Sequence, residues 1–319
     1  VGAIHEDEKF GPDYFLPTDA YLETCAAVGA GFFSQRMNQL TCNARYMDEV
    51  DRVLYNNVLT GVSLSGDKYT YQNPLNTDKP DRWEWHVCPC CPPMFLKIMA
   101  AMPGYIYAYQ GDNVYVNLFI GSEVRVPVGK SNSVRLKQLT SYPWHGAVSI
   151  QVNPDKASTF SMKVRIPGWA QGTENPYDLY QSNLKAPVKL KVNQEDVLLR
   201  IVDGYAEINR EWKKGDHIEL ELPMQPRLIT ANKAVENLRG QVALASGPII
   251  YCFEDADNPE LQTFKLQAQT PLELSHDSNL LNGVNIIKCQ GDIPAKAIPY
   301  YAVANREESH SYKVWIPQK

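Results

Sequence analysis

The sequence predicts an α+β chain of several domains, helical as far as Gly104 and built of antiparallel strands from Tyr105 to Lys319. Three observations carry that prediction. Apolar residues recur near the helical period in three stretches before Met102. From Tyr105 onward the period falls to about two, and Gly, Pro and Asp turns interrupt the pattern at short intervals. The boundaries that follow are a helical domain over 1–104, a β-sandwich over 105–224, and a second sandwich or completing strands over 225–319.

Taken in order, His5-Glu6-Asp7-Glu8 reads as an exposed acidic loop, because Gly11-Pro12 prevents a continuous helix. Leu16-Pro17-Thr18-Asp19 is a helix-start signal, so a first helix is expected from Ala20 to about Leu40. A second is expected from Ala44 to Thr60 with Gly61 as its stop, and a third from Met94 to Met102, closed by Pro103-Gly104. Tyr69-Thr70-Tyr71 alternates like a short strand. Tyr105–Tyr109 and Val114–Phe119 flank the turn Gln110–Asn113 and read as a hairpin. Further strands are expected at Ser133–Tyr142, Val148–Val152, Phe160–Ile166, Val188–Val192, Tyr205–Ile208, His217–Leu222, Gln241–Phe253, Ile298–Ala304 and Ser311–Ile316. Three helices are few for a helical domain that packs in pairs around a pocket, so the sequence is expected to begin partway through one.

Composition excludes some functions. Hydrophobic content of 44% and charged content of 21% are ordinary for a globular protein. A net charge of −5 without a Lys/Arg run argues against a nucleic-acid partner. No apolar run approaches the roughly 20 residues that cross a bilayer, so no membrane partner is expected. Eighteen tyrosines suit either sandwich surfaces or a sugar-stacking cleft. The compartment stays open between cytoplasm and periplasm.

The chemistry concentrates in Trp85-His86-Val87-Cys88-Pro89-Cys90-Cys91-Pro92-Pro93, where three of the seven cysteines fall within four positions. Adjacent thiols pair poorly with each other but serve well as ligands to one soft or borderline metal. The two prolines mark the first turn of a helix, where the dipole favours thiolate. Glu23, Cys25, Cys90 and Cys91 are the candidate ligands, with Cys88 as a fifth. The i, i+2 spacing of Glu23 and Cys25 counts against the pair, because it does not place them on one helical face. A zinc ion here either staples the first helix to the third or also holds a nucleophilic thiolate, and the residues alone favour the structural role. Cys42, Cys252 and Cys289 read as buried small hydrophobes. Serine-triad, phosphate-loop and dinucleotide motifs are absent, and the six histidines are scattered singly.

Several stretches occur in an order that supports a resemblance: Glu8-Lys9-Phe10, Leu16-Pro17, Tyr21–Ala26, Arg52–Asn56, Asn73-Pro74-Leu75, and Cys88–Pro93. With Arg165–Trp169 and Ala297–Ala302 they resemble the β-L-arabinofuranosidases of glycoside hydrolase family 127 and the similar family 146. The resemblance implies part of an (α/α)6 barrel followed by β-sandwich domains. It also implies a retaining, exo-acting hydrolase that releases L-arabinofuranose from β-linked chains. By position, Glu23, Cys25, Cys90 and Cys91 match the family's zinc ligands, Cys90 its thiolate nucleophile and Glu8 its general acid/base, while Tyr71 falls where the family has a substrate-contacting tyrosine. The implied cofactor is Zn2+, and the implied partner is an L-arabinofuranose-containing small molecule or oligosaccharide. A homodimer through exposed sandwich faces is a further expectation. The family's barrel has a large N-terminal half that this sequence lacks, so the chain is expected to be a C-terminal portion that binds sugar weakly or not at all alone. The alternative is a non-catalytic carbohydrate-binding or scaffold protein with a structural zinc, and a third reading is a disulfide-stabilised module.

Overall fold

The structure is a computed structural model that describes residues 9–85, 87–175, 178–290 and 293–319. Among the described residues three α-helices lie ahead of most of the strands, α1 (Thr24–Thr41), α2 (Arg45–Val53) and α3 (Cys91–Ala101), with one short strand, 76–77, between the second and the third. The first begins four residues later than Leu16–Asp19 signals, because Leu22 and Glu23 stay extended to pair with the loop at 71–73. The second changes to a π-helical turn over Leu54–Val58, while Gly61 ends it as expected by donating to the Val58 carbonyl at 3.0 Å. The third starts at Cys91, with Pro92 and Pro93 in positions that need no intrahelical partner for their nitrogens.

Small residues set how these helices meet. A side chain on Gly31 would lie 3.0 Å from Ile98 Cδ1 and 3.4 Å from Val53 Cγ2, so α1 approaches both neighbours closely there. Gly31 lies seven residues into α1 and Ile98 seven into α3, so the two helices bring their N-termini to the same level. Those termini carry Cys25 and Cys90-Cys91. The three helices do not close a ring, and the (α/α)6 barrel is not established by them. The fold is a mixed helix-and-sheet, multidomain arrangement.

Among the described residues the strands form three sheets. A six-stranded antiparallel sheet runs in the order 195–196, 189–192, 216–221, 147–154, 132–140, 122–128. A five-stranded sheet runs 201–202, 205–212, 158–165, 113–116, 107–110. Its 113–116 and 158–165 strands are parallel, a departure from the all-antiparallel expectation. Val134, Leu136 and Ile150 of the first sheet share one core with Phe160, Met162 and Ile208 of the second, which makes the pair a sandwich. The third sheet follows the order 272–277, 284–289, 295–299, 249–254, 241–246, 227–231, 180–182. The expected single strand Gln241–Phe253 is two strands folded about Gly247-Pro248. Two strands of this third sheet come from earlier in the chain: 180–182 pairs with 227–231, and 76–77 pairs with 312–313.

Buried charges tie the layers together. Arg165 is 0% exposed, and its guanidinium meets Asp48 at 2.7 Å and Asp51 at 3.2 Å, both on α2. Burial alone disfavours its charge, but Asp51 and Asp48 outweigh this and raise its pKa. Tyr142 donates to Asp51 at 2.7 Å, and the Gly168 N–H donates to Asp48 at 3.1 Å. Arg227 holds the buried Glu174 in a two-pronged pair at 2.6 and 2.9 Å, while Arg52 of α2 donates to the Glu174 carbonyl. Replacing Arg165 by Met leaves the buried Asp51 and the half-buried Asp48 without their cation, with an expected loss of about 3–5 kcal/mol. Guanidinium unfolding reads this as a lowered midpoint, and Asp48→Asn with Asp51→Asn in the same chain is expected to restore part of it.

Candidate metal centre

Glu23 does not belong to α1. It caps the helix in extended conformation at φ −77° and ψ 139°, and forms a single antiparallel bridge with Gln72. The spacing argument against Glu23 and Cys25 therefore fails, because it assumed both residues were helical; an extended residue followed by a helical one lets both side chains converge. The bridge is fixed by the residues around it. Thr24 donates its N–H to the Tyr71 carbonyl at 3.0 Å and its hydroxyl to the Thr70 carbonyl at 2.7 Å. Asn73, fully buried, donates its amide to Leu22 O at 3.1 Å and to Thr24 Oγ1 at 2.9 Å. The C-terminal sheet holds the Asn73-Pro74 turn from below, through the Tyr300 and Tyr312 hydroxyls at 2.8–3.0 Å.

Cys90 caps α3 and Cys91 is its first residue, so both sulfurs stand at a helix N-terminus. Cys90 Sγ lies 3.3 Å from Glu23 Oε1 and 3.7 Å from Cys91 Sγ, and Cys25 Sγ lies 3.5 Å from Cys91 Sγ. All four donor atoms fall within 4.8 Å of one another. Zinc bound tetrahedrally by sulfur at about 2.3 Å spaces its ligands about 3.8 Å apart, so these separations already approach what one ion needs. Three sulfurs and a carboxylate oxygen are a donor set that suits zinc. Cys91 is completely buried and Glu23 is 8% exposed. Without a cation, burial pushes the Cys91 thiol up to about 12. Burial, followed by hydrogen bonds to Cys90 and Cys91, drives Cys25 higher still. A divalent charge at the centre reverses that balance by favouring the thiolates.

An aromatic wall stands beside the cluster. Tyr71 stacks on Trp83 with ring centroids 5.8 Å apart at 26°, and meets Tyr21 edge-on at 5.9 Å. Its hydroxyl is held in the protonated form by a hydrogen bond with Tyr21, then by burial and the nearby Glu23 carboxylate. Tyr69 contacts both Trp83 and Trp85 edge-on, and Trp85 is 71% exposed. Arg82 anchors this wall by donating to the Thr60 carbonyl at 2.9 Å and to the Val303 carbonyl at 2.9 and 3.2 Å.

Of the sequence-predicted site residues, the structure brings Glu23, Cys25, Cys90 and Cys91 together and sets Tyr71 next to them. Cys88 stays outside the cluster, exposed, with its carbonyl accepting from the Cys90 N–H at 2.9 Å. Glu8, the acidic cluster around it and His86 lie outside the described residues. Cys252 and Cys289 are buried as expected. Cys42 is not: it is half-buried and ends α1 in left-handed conformation at φ 52°. No disulfide is formed among the described residues, against the disulfide-stabilised reading. Sequence reasoning missed Trp83 and the supporting roles of Thr24 and Asn73. A Trp-x-Trp pair directly ahead of the cysteine segment was the available signal for the first.

Comparison with known proteins identifies the family. Residues 1–104 match the description "Beta-L-arabinofuranosidase, GH127 catalytic domain", residues 113–224 the GH127 middle domain, and residues 226–317 the "Glycoside hydrolase family 127 C-terminal domain". The chain belongs to glycoside hydrolase family 127. It is 31% identical to the non-reducing end β-L-arabinofuranosidase of Bifidobacterium longum subsp. longum, over 96% of this chain and 51% of that protein. A solved GH127 β-arabinofuranosidase superimposes with a TM-score of 0.93 at 36% identity, covering 100% of this chain and 53% of the other. A GH127 β-L-arabinofuranosidase from Geobacillus stearothermophilus T6 gives 0.91 at 34% identity, with the same coverage. The chain thus spans about half the length of the relatives it matches.

Because Asn73 fixes Thr24 between the candidate donors Glu23 and Cys25, Asn73→Ala is expected to weaken the cluster's affinity for a divalent metal about 10–100-fold while leaving all four donors in the sequence. Competition against a chelator of known affinity measures it.

Proposed function

We propose that this site performs retaining hydrolysis of β-linked L-arabinofuranosides, releasing L-arabinofuranose from a chain end. The observation that supports this most is the meeting of Glu23, Cys25, Cys90 and Cys91 within 4.8 Å in a chain of this family. In this reading the four side chains hold a zinc ion, which when bound keeps the sulfurs deprotonated near neutral pH.

Most retaining glycosidases use two carboxylates, one as nucleophile and one as acid/base. Here Cys90 takes the nucleophile's place. Its sulfur attacks the anomeric carbon while Glu8 gives its proton to the departing glycosidic oxygen, leaving a thioglycosyl bond on Cys90 and a free alcohol. Glu8, now a carboxylate, takes a proton from water, whose oxygen displaces the sulfur and restores Cys90. The two inversions return the β configuration. Tyr71 borders the bound sugar, with its phenol kept as a donor. The exposed face of the neighbouring aromatic wall suits the apolar side of a sugar ring.

The unsubstituted chain, which spans about half of its relatives' length, is expected to turn over a chromogenic β-L-arabinofuranoside only weakly, and Cys90→Ser is expected to abolish what turnover it shows. Glu8→Gln lowers turnover about 10²–10⁴-fold yet leaves one zinc per chain by elemental analysis. Full activity in Cys90→Ser overturns the nucleophile, and zinc lost in Glu8→Gln overturns the division of roles. Zinc uptake with sugar affinity that resides in residues after 105, and no turnover, belongs to the non-catalytic reading.

A further inference from the structure

A second concave site lies away from the cysteines, where the middle sandwich meets the C-terminal sheet. It is a groove of about 730 Å³, walled by the turn at 144–147, the starts or ends of strands 189–192 and 216–221, the connection 222–225, and strands 272–277 and 284–289. Its floor is fixed by close backbone contact. The Leu222 N–H donates to the Gly146 carbonyl at 3.0 Å, and a side chain on Gly146 would fall 2.0 Å from the Leu222 oxygen. Ser246 secures the other end through a 2.7 Å bond to the Met224 carbonyl.

The walls carry particular chemistry. Trp144 packs against the cores on both sides of the junction and tilts against Tyr301 at 6.3 Å. Asn285, only 7% exposed, donates its amide to the Trp144 carbonyl at 3.3 Å, and its Oδ1 faces His276 Nδ1 at 3.0 Å. Since that oxygen only accepts, His276 donates to it from Nδ1. Lys189 and Glu221 stand directly opposite each other across their ladder, so one cation is balanced by one anion. The groove therefore presents one indole, donors and acceptors in mixture, and no net charge.

That combination excludes three ligand classes. Among the described residues, the one group of three or more metal-type donors within ligand distance is the cysteine cluster, so the groove is not built for a metal. Balanced charge disfavours a phosphate or acidic peptide, and the polar rim disfavours a purely apolar ligand. A chain of hydroxyls, each able to donate and accept, matches what remains.

We propose that this groove is a non-catalytic binding site for a neutral oligosaccharide, seated on Trp144 and oriented by His276, Lys189 and Glu221. The choice of an arabinose-based glycan as its ligand rests on the function proposed above; the groove's affinity for a neutral glycan does not. A soluble arabinan-oligosaccharide fraction titrated calorimetrically into the Cys90→Ala chain is the test. Binding is expected to persist without the nucleophile and to weaken about tenfold on adding Trp144→Ala. His276→Ala with Lys189→Ala, changes at exposed positions, serves where the tryptophan variant fails to fold, and is expected to weaken binding severalfold at an unchanged melting temperature. Absence of binding in the Cys90→Ala chain, or binding untouched by both sets of substitutions, overturns the proposal. Groove binding without turnover of a chromogenic arabinofuranoside in the unsubstituted chain supports the groove and shows that its affinity does not depend on catalysis at the cysteines.

Discussion

A guanidinium sealed from water cannot stand without anions, and Arg165 finds both of its anions on a different layer. Asp48 and Asp51 belong to α2, whereas Arg165 ends a strand of the middle sandwich. Separating helix from sandwich would strand charges in an apolar setting, so the two move as one body. The consequence runs further than that joint. With α2 fixed, α1 is fixed against it at Gly31, and α1 in turn sets the position of Cys25. The sulfur cluster thus inherits its geometry from a pair of carboxylates that take no part in its chemistry.

Support reaches the site from the opposite end as well. Tyr300 and Tyr312, late in the chain, hold the Asn73-Pro74 turn, and Arg82 grips the backbone at Val303. Asn73 then passes that constraint to Leu22 and Thr24, on either side of Glu23. A centre assembled from residues 23–25 and 90–91 is in this way braced by residues beyond 300. The donor atoms of a metal site have to be placed within tenths of an ångström, and such bracing supplies the stiffness.

Much of this was legible beforehand. The switch of period at Tyr105, the hairpin that follows it and the Pro-Pro start of α3 are local signals, and each element occurs within a few residues of its expected place. The four clustered donors were also named from sequence, though the argument from i, i+2 spacing pointed the wrong way. It failed because Glu23 answers to Gln72, nearly fifty positions on, and local spacing holds no record of a partner so distant. The same reason hid the strands at 180–182 and 227–231, whose pairing is non-local and whose residues alternate weakly. Asn73 and Arg82 act by bonding to backbone carbonyls, which any residue supplies, so no pattern of neighbours announces them.

The composition of the third sheet bears on how such a protein can be divided. Sequence segments 1–104, 113–224 and 226–317 look separable, yet the last borrows strand 76–77 from the first and 180–182 from the second. A piece cut at Gln225 would carry the sheet with two vacated edges, rows of unsatisfied amides and carbonyls ready to recruit any strand nearby. Evolution can shuffle modules only along seams where no hydrogen-bond ladder crosses. Here the ladders cross both seams, which ties the three segments into a single mechanical unit.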